Sequence, residues 1–351
     1  MLRVPADGGI ASSSVQIREL DAAALADDAV MRDFYDITRR AELLGREQTP
    51  FWTFEELLGA YRSEDSAERQ QLYAAYDGDR MVACAVLWSF LLDNTDKAWF
   101  RLDVDVPDRR RGVGSALLEQ IEQVAKADGR SLLLTDTKLP FDEREGHGYR
   151  QFAEARGYEL ANYEVVRHLE LPVPDDQVQA WIDEAAPRHD GYAIETFVDG
   201  VPEDLVESLC VLLGQLAVDA PSGAIDFEEE AVTPERYAEG VATVQAMGRA
   251  RYETLAVTPD RLVAAQSTLV VPVQSPSTTV FQWGTFVHRE HRGHKLGLAT
   301  KAVNLRAVQA ARDDLTLVTT QNAETNSYMV SINERMGFVP VEVSTELVKR
   351  L

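Results

Sequence analysis

The chain has 351 residues, 45% of them hydrophobic and 26% charged, with 58 acidic against 35 basic side chains and a formal net charge of -23. That length exceeds one ordinary core and suits two domains, the composition is that of a soluble globular protein rather than a disordered one, and the excess of carboxylates disfavours general nucleic-acid binding by repelling a phosphate backbone. No apolar stretch of signal-peptide length and no run of about 18 uncharged apolar residues occurs, so no membrane association is expected and the protein is read as cytoplasmic; Cys84 and Cys210 fit buried reduced thiols.

In chain order, QLYAAY (71–76), a turn at Asp77-Gly78-Asp79, then RMVACAVLWSFLL and KAWFRLDVDV predict an antiparallel meander. VGSALLEQIEQVAKADG carries apolar residues at helical spacing, SLLLTD is a short buried strand, and a further helix and strand reach about Leu171. PVPDDQVQAWIDEAAPRHDG (172–191) is rich in Pro and Asp at its ends and reads as a linker with a helical middle. The order then repeats: YETLAV, RLVAAQSTLVVPV and TVFQWGTFV as a meander, LGLATKAVNLRAVQAARDD as a helix, LTLVTT as a strand, SYMVSINERM as a helix. Gly114 and Gly297, like Gly157 and Gly337, recur roughly 180 residues apart, which argues for duplication. The expected organisation is therefore 1–171, a linker at 172–190, and 191–351.

Both repeats place a basic, glycine-bearing turn before their long helix: RRRGVGSALLE (109–119) and HRGHKLGLATK (291–301). A strand end, a glycine turn and a helix start present outward backbone N–H groups at the positive end of the helix dipole, which is an anion site, and Arg or Lys adds charge-assisted hydrogen bonds to phosphate. Neither a P-loop nor a dinucleotide fingerprint is present, and no metal is expected.

The meander, the turn motif at Arg109, Gly112 and Gly114, and the second-helix motif NSYMVSINERMGF at Asn326, Met329, Ile332, Gly337 and Phe338 resemble the GNAT family of acyl-CoA N-acyltransferases. The duplication is similar to tandem members such as mycothiol synthase. Each copy departs from the motifs once: Lys295 stands for the first turn glycine in the second, and Gly146 for the helix-motif asparagine in the first. The resemblance implies an α/β (α+β) fold, two GNAT units in tandem, each a mixed, mostly antiparallel sheet of about six to seven strands flanked by helices. It also implies acetyl-CoA as cofactor. Its diphosphate and pantetheine would be held by Val104, Val106, Arg109, Arg110, Arg111, Gly112, Val113, Gly114 and Ser115 in the first unit. The second unit's counterparts are Val287, Arg292, Gly293, His294, Lys295, Leu296, Gly297, Leu298 and Asn326.

The implied activity is transfer of an acetyl group to a primary amine of a small acceptor, a cationic one being favoured by the acidic composition, from a monomer or homodimer. The family's usual base and acid are missing, since Ala98 and Phe281 stand at the base position and Ala153 and Asn333 at the acid position. Substitutes are open. Strand alternation sets Arg101, Asp103 and Asp105 on one face; His288 stands at the place of Asp105 as a candidate proton acceptor; Tyr328 and Asn322 follow LTLVTT, and Tyr328 is the candidate donor to the departing thiolate. The fuller helix motif puts catalysis in the second unit. The alternative is an acyl-CoA-binding sensor without catalysis.

Overall fold

The structure is a computed structural model and describes residues 15–46, 49–219 and 221–351. In the first half, β1 (Gln16–Glu19) leads into α1 (Ala22–Ala26), α2 (Asp28–Leu43) and α3 (Phe54–Arg62). The expected meander follows as β2 (Glu68–Asp77), β3 (Arg80–Phe90) and β4 (Lys97–Val104), then α4 (Val113–Ala127), β5 (Leu132–Pro140), α5 (Gly148–Glu154) and β6 (Glu159–Glu170). After α6 (Asp175–Ala185) come β7 (Ala193–Val198), α7 (Glu203–Gly214), α8 (Leu216–Asp219) and α9 (Pro234–Ala246). The second meander, β8 (Arg249–Val257), β9 (Val263–Pro272) and β10 (Thr279–Val287), is followed by α10 (Leu296–Ala311), β11 (Leu317–Ala323), α11 (Ser327–Arg335) and β12 (Val339–Arg350).

Helical spacing decides which face each helix buries. Met31, Phe34, Ile37 and Ala41 of α2 recur every three or four residues and are buried, the first three packing with Phe54 and Tyr61 against Cys84 and Val86 on one face of the sheet. Val113, Leu117, Ile121 and Ala125 of α4 pack on the other face, against Ala83, Ala85, Phe100 and Leu133. Covered on both sides, β3 is accordingly a continuous apolar run rather than an alternating one. The linker segment has a helical middle, α6, which is not a free tether: Val178, Trp181 and Ala185 enter the second core beside Leu298, Leu305 and Phe338.

The twelve described strands form one sheet, in the order β1-β2-β3-β4-β5-β12-β6-β11-β10-β9-β8-β7. The last strand of the chain lies between β5 and β6 of the first half, and β6 lies between β11 and β12 of the second. Each half thus completes the sheet of the other. Among the described residues only β4 with β5 and β10 with β11 pair in parallel, and both pairings are short: Lys97–Trp99 with Leu132–Leu134, and Thr279–Phe281 with Leu317–Thr319. Beyond those residues the strands splay, in β10 at a bulge between Gln282 and Gly284.

The helices of the two halves also lock together. Glu56 accepts from the Thr53 N–H at 2.8 Å, closing the capping box of α3, and with its other oxygen from Arg249 Nε at 2.8 Å. Both side chains of that ion pair are wholly buried. Trp52 stacks on Phe281 across the same junction, 4.0 Å between ring centres. Removing one partner of such a pair leaves an uncompensated interior charge. Arg249→Ala is therefore expected to cost about 3–5 kcal/mol, seen as a lower urea midpoint in a single transition, with much of the loss restored when Arg249→Met is combined with Glu56→Gln.

Candidate functional site

Where β4 leaves β5 and β10 leaves β11, backbone N–H and C=O groups lose their neighbours on one side, and a ligand chain can take their place. Below each mouth stands one of the basic turns. After the first splay a short 3-10 turn (Val106–Asp108) leads through Arg109–Gly112 into α4; after the second, Arg289–His291 leads through Arg292–Lys295 into α10. Neither α4 nor α10 has a side-chain cap, so their first N–H groups stay available to an anion.

The two turns share a backbone and divide its demands differently. Left-handed residues occur at Arg110 (φ 63°) and Gly112 (φ 86°) in the first, and at Gly293 (φ 89°) and Lys295 (φ 53°) in the second. Lys295 thus stands where a glycine stands in the first turn, while Gly293 relieves the place of Arg110. Gly114 and Gly297 serve close packing instead: a Cβ at Gly114 would lie 3.0 Å from Val104 Cγ2, and one at Gly297 would lie 3.1 Å from Ile332 Cδ1 and 3.7 Å from Val287 Cγ2.

Charge separates the turns more sharply. In the second, Arg292 Nη2 lies 2.7 Å from Asp219, which Arg289 also binds, and Lys295 Nζ lies 2.8 Å from Glu184, which Arg335 also binds. His294 Nδ1 lies 3.0 Å from the Arg188 carbonyl. In the first turn Arg111 is tied to Asp108 and Asp77. Arg109 donates to the Val104 carbonyl at 3.2 Å and lies over the Tyr149 ring. Among the described residues neither Arg109 nor Arg110 has an acidic partner within salt-bridge distance. The acidic partners of the second turn come from α6 and α8, elements remote in sequence, so its pairing has no local signal.

The first splay also gathers groups that can move protons. Arg101, Asp103 and Asp105 share the β4 face toward α2, as strand alternation requires. Asp105 is occupied: it accepts from Arg40 at 2.9 Å and from the Val106 N–H. Asp103 is 8% exposed and 3.2 Å from Arg101 Nε. Burial pushes its pKa up to about 7, Arg101 opposing and Glu42 adding to the rise. Tyr149, on the first turn of α5, reaches through to the end of α2 and donates to the Ala41 carbonyl at 2.7 Å; burial raises its pKa as well. Asp103 and the Tyr149 hydroxyl thus both face α2, Asp103 toward Thr38 and Tyr149 toward Ala41. The motif pattern does not single out Tyr149, which lies one turn before Ala153; the i, i−4 relation on a helix is the signal that could have found it.

The remaining candidates fall as follows. Asn326 caps α11, its side chain accepting from the Met329 N–H at 3.2 Å. Tyr328 is 84% exposed. His288 caps the 3-10 turn by accepting from Glu290 N–H and meets Gln215 at 3.4 Å. Asn322 is buried and accepts from Arg167 and Asn333. Val113, Leu296 and Leu298 are buried in the packing of their helices, and Ser115 accepts from Arg156.

Splayed parallel strands above an anion-ready helix start are thus built twice into one sheet. The Acetyltransferase (GNAT) family profile matches residues 31–151, within the first half. Among solved structures, a tandem GNAT protein from the clavulanic acid biosynthesis pathway is similar at TM-score 0.72 and 23% identity, over 95% of this chain and 98% of that one. A GCN5-related N-acetyltransferase from Sphaerobacter thermophilus is similar at TM-score 0.62 and 16% identity, over 96% and 95%. The glucosamine N-acetyltransferase region of a fungal multi-domain GH3 beta-N-acetylglucosaminidase gives 0.62 and 15%, over 97% of this chain and 39% of that one. No curated protein sequence matches the chain. Among the described residues no helix is long and apolar enough to cross a membrane.

The turn geometry has a direct mutational consequence. A Cβ at Gly112 meets nothing within 4 Å, so Gly112→Ala changes backbone strain without changing packing. Its expected cost is about 1–2 kcal/mol, read from urea denaturation.

Proposed function

We propose that this protein transfers an acetyl group from acetyl-CoA to a primary amine of a small cationic acceptor, with the first half as the donor site. One observation carries the choice of half: Arg109 and Arg110 keep their charge for a diphosphate, whereas Arg292 and Lys295 are already neutralised by Asp219 and Glu184. This reverses the expectation drawn from the fuller helix motif of the second half.

In this reading the diphosphate lies on the α4 N-terminus between Arg109 and Arg110, and the pantetheine follows β4 past Trp99. The thioester then stands near the end of α2. The incoming amine is an ammonium at neutral pH and must lose a proton before it attacks; Asp103, held near neutrality by burial, takes it. The carbonyl oxygen gains charge in the tetrahedral intermediate and is stabilised by the β4 backbone N–H groups freed by the splay. The carbon–sulfur bond breaks, and Tyr149, kept protonated by its raised pKa, donates to the departing thiolate. An acidic floor supports a cationic acceptor. Asp136, Glu346 and Glu164 lie on neighbouring strands at the sheet centre, on the same face as Asp103, and burial together with Glu346 and Asp136 raises Glu164 to about 7.

Free-thiol release from acetyl-CoA with an amine library tests the proposal. Arg109→Ala with Arg110→Ala is expected to raise the KM for acetyl-CoA by about 10–100-fold, and Arg292→Ala to leave it within about twofold. The opposite pattern would return the donor site to the second half. Because Asp103 must be ionised to accept a proton, kcat/KM is expected to rise with pH through about 7. Asp103→Asn should remove that limb; an unchanged profile would remove Asp103 from the mechanism. Coenzyme A binding without thiol release from any amine would instead favour the sensor reading.

A further inference from the structure

The second splay, which β6 of the first half completes, buries a cation that acyl transfer leaves unused. Arg167 of β6 is 6% exposed. Its Nη1 donates to the Val165 carbonyl at 3.3 Å and to Asn322 Oδ1 at 3.1 Å. Among the described residues its Nε and Nη2 make no hydrogen bond, and no carboxylate pairs with it. Asn333 Nδ2 donates to the same Asn322 oxygen at 3.0 Å, and Asn333 Oδ1 is enclosed without any partner among the described residues. Burial lowers the Arg167 pKa, with Glu334 and Glu324 pulling weakly the other way.

An interior guanidinium without a counter-charge is costly, and the sister splay shows that the fold does not require one. The register that sets Arg167 beside Thr320 sets Leu347 beside Thr135. Ala153 stands in α5 where Asn333 stands in α11. The polar cluster is therefore particular to the region beside β11. A free Nε–Nη2 edge is the fork that accepts a carboxylate through two parallel hydrogen bonds, while a bare amide oxygen calls for an N–H or O–H donor beside it.

We propose that the junction of β6 with β11 and α11 binds a small organic carboxylate bearing an adjacent hydroxyl or amino group, the carboxylate on Arg167 and the neighbouring donor on Asn333 Oδ1. The site stands whichever half takes coenzyme A, because it involves neither basic turn.

Calorimetry on the full chain with lactate and serine, against acetate and inorganic phosphate, tests it. Lactate or serine is expected to bind, acetate more weakly, and phosphate not at all. Arg167→Leu is expected to weaken binding by about 100-fold or more while leaving the unliganded protein at least as resistant to urea as before, as in the sister splay. No heat from either hydroxy- or amino-carboxylate, preference for phosphate, or binding that survives Arg167→Leu would overturn the proposal. If Arg167→Leu does not fold, Asn333→Ala decides: loss of the preference for lactate over acetate supports the site, and an unchanged preference overturns it.

Discussion

The antiparallel pairing of β6 with β12 is the constraint on which the rest of the molecule depends. Those two strands come from different halves, and each sits where its neighbour's sheet would otherwise end. Edge strands with unpaired backbone groups invite wrong partners; the exchange removes both inner edges at once and turns two repeats into one surface. The buried Glu56–Arg249 pair and the Trp52–Phe281 stack then fix the helices of one half against the strands of the other. Both splays, and the carboxylate floor between them, are held by this shared frame.

Within that frame the halves have diverged in electrostatics more than in backbone. Each turn keeps two left-handed residues, one of them glycine, yet among the described residues the first leaves two arginines unpaired by acids and the second surrenders its cations to Asp219 and Glu184. The reverse holds deeper in the sheet, where the region beside β5 is apolar at Leu347 and Ala153 and the region beside β11 places Arg167 and Asn333. The ion pairs and the buried amides are compatible with division of labour between copies, because each occupies the position that is left open or apolar in the other.

Much of this architecture is legible in the order of the amino acids. Alternation and turn residues locate both meanders, helical spacing locates α4 and α10, and the glycine turns mark the starts of those helices. Local pattern does not reveal which strand pairs with which, so the exchange of β6 and β12 is invisible to it: either sequence fits the middle of any sheet. The same holds for the site. The β4 face of Arg101, Asp103 and Asp105 follows from a period of two, but choosing Asp103 over Asp105 needs the Arg40 ion pair, contributed by a helix some sixty residues away. Tyr149 needs the end of α2 to give its hydroxyl a destination.

Strand exchange also imposes an order on synthesis. When β6 leaves the ribosome, the strand that belongs between it and β5 is still roughly 170 residues from being made, or about 10 to 35 s at ordinary elongation rates. For that interval β5 lacks its β12 neighbour and β6 lacks both of its own. Such a chain is a natural client for chaperones during translation, and its sheet can close only after the second half has been translated.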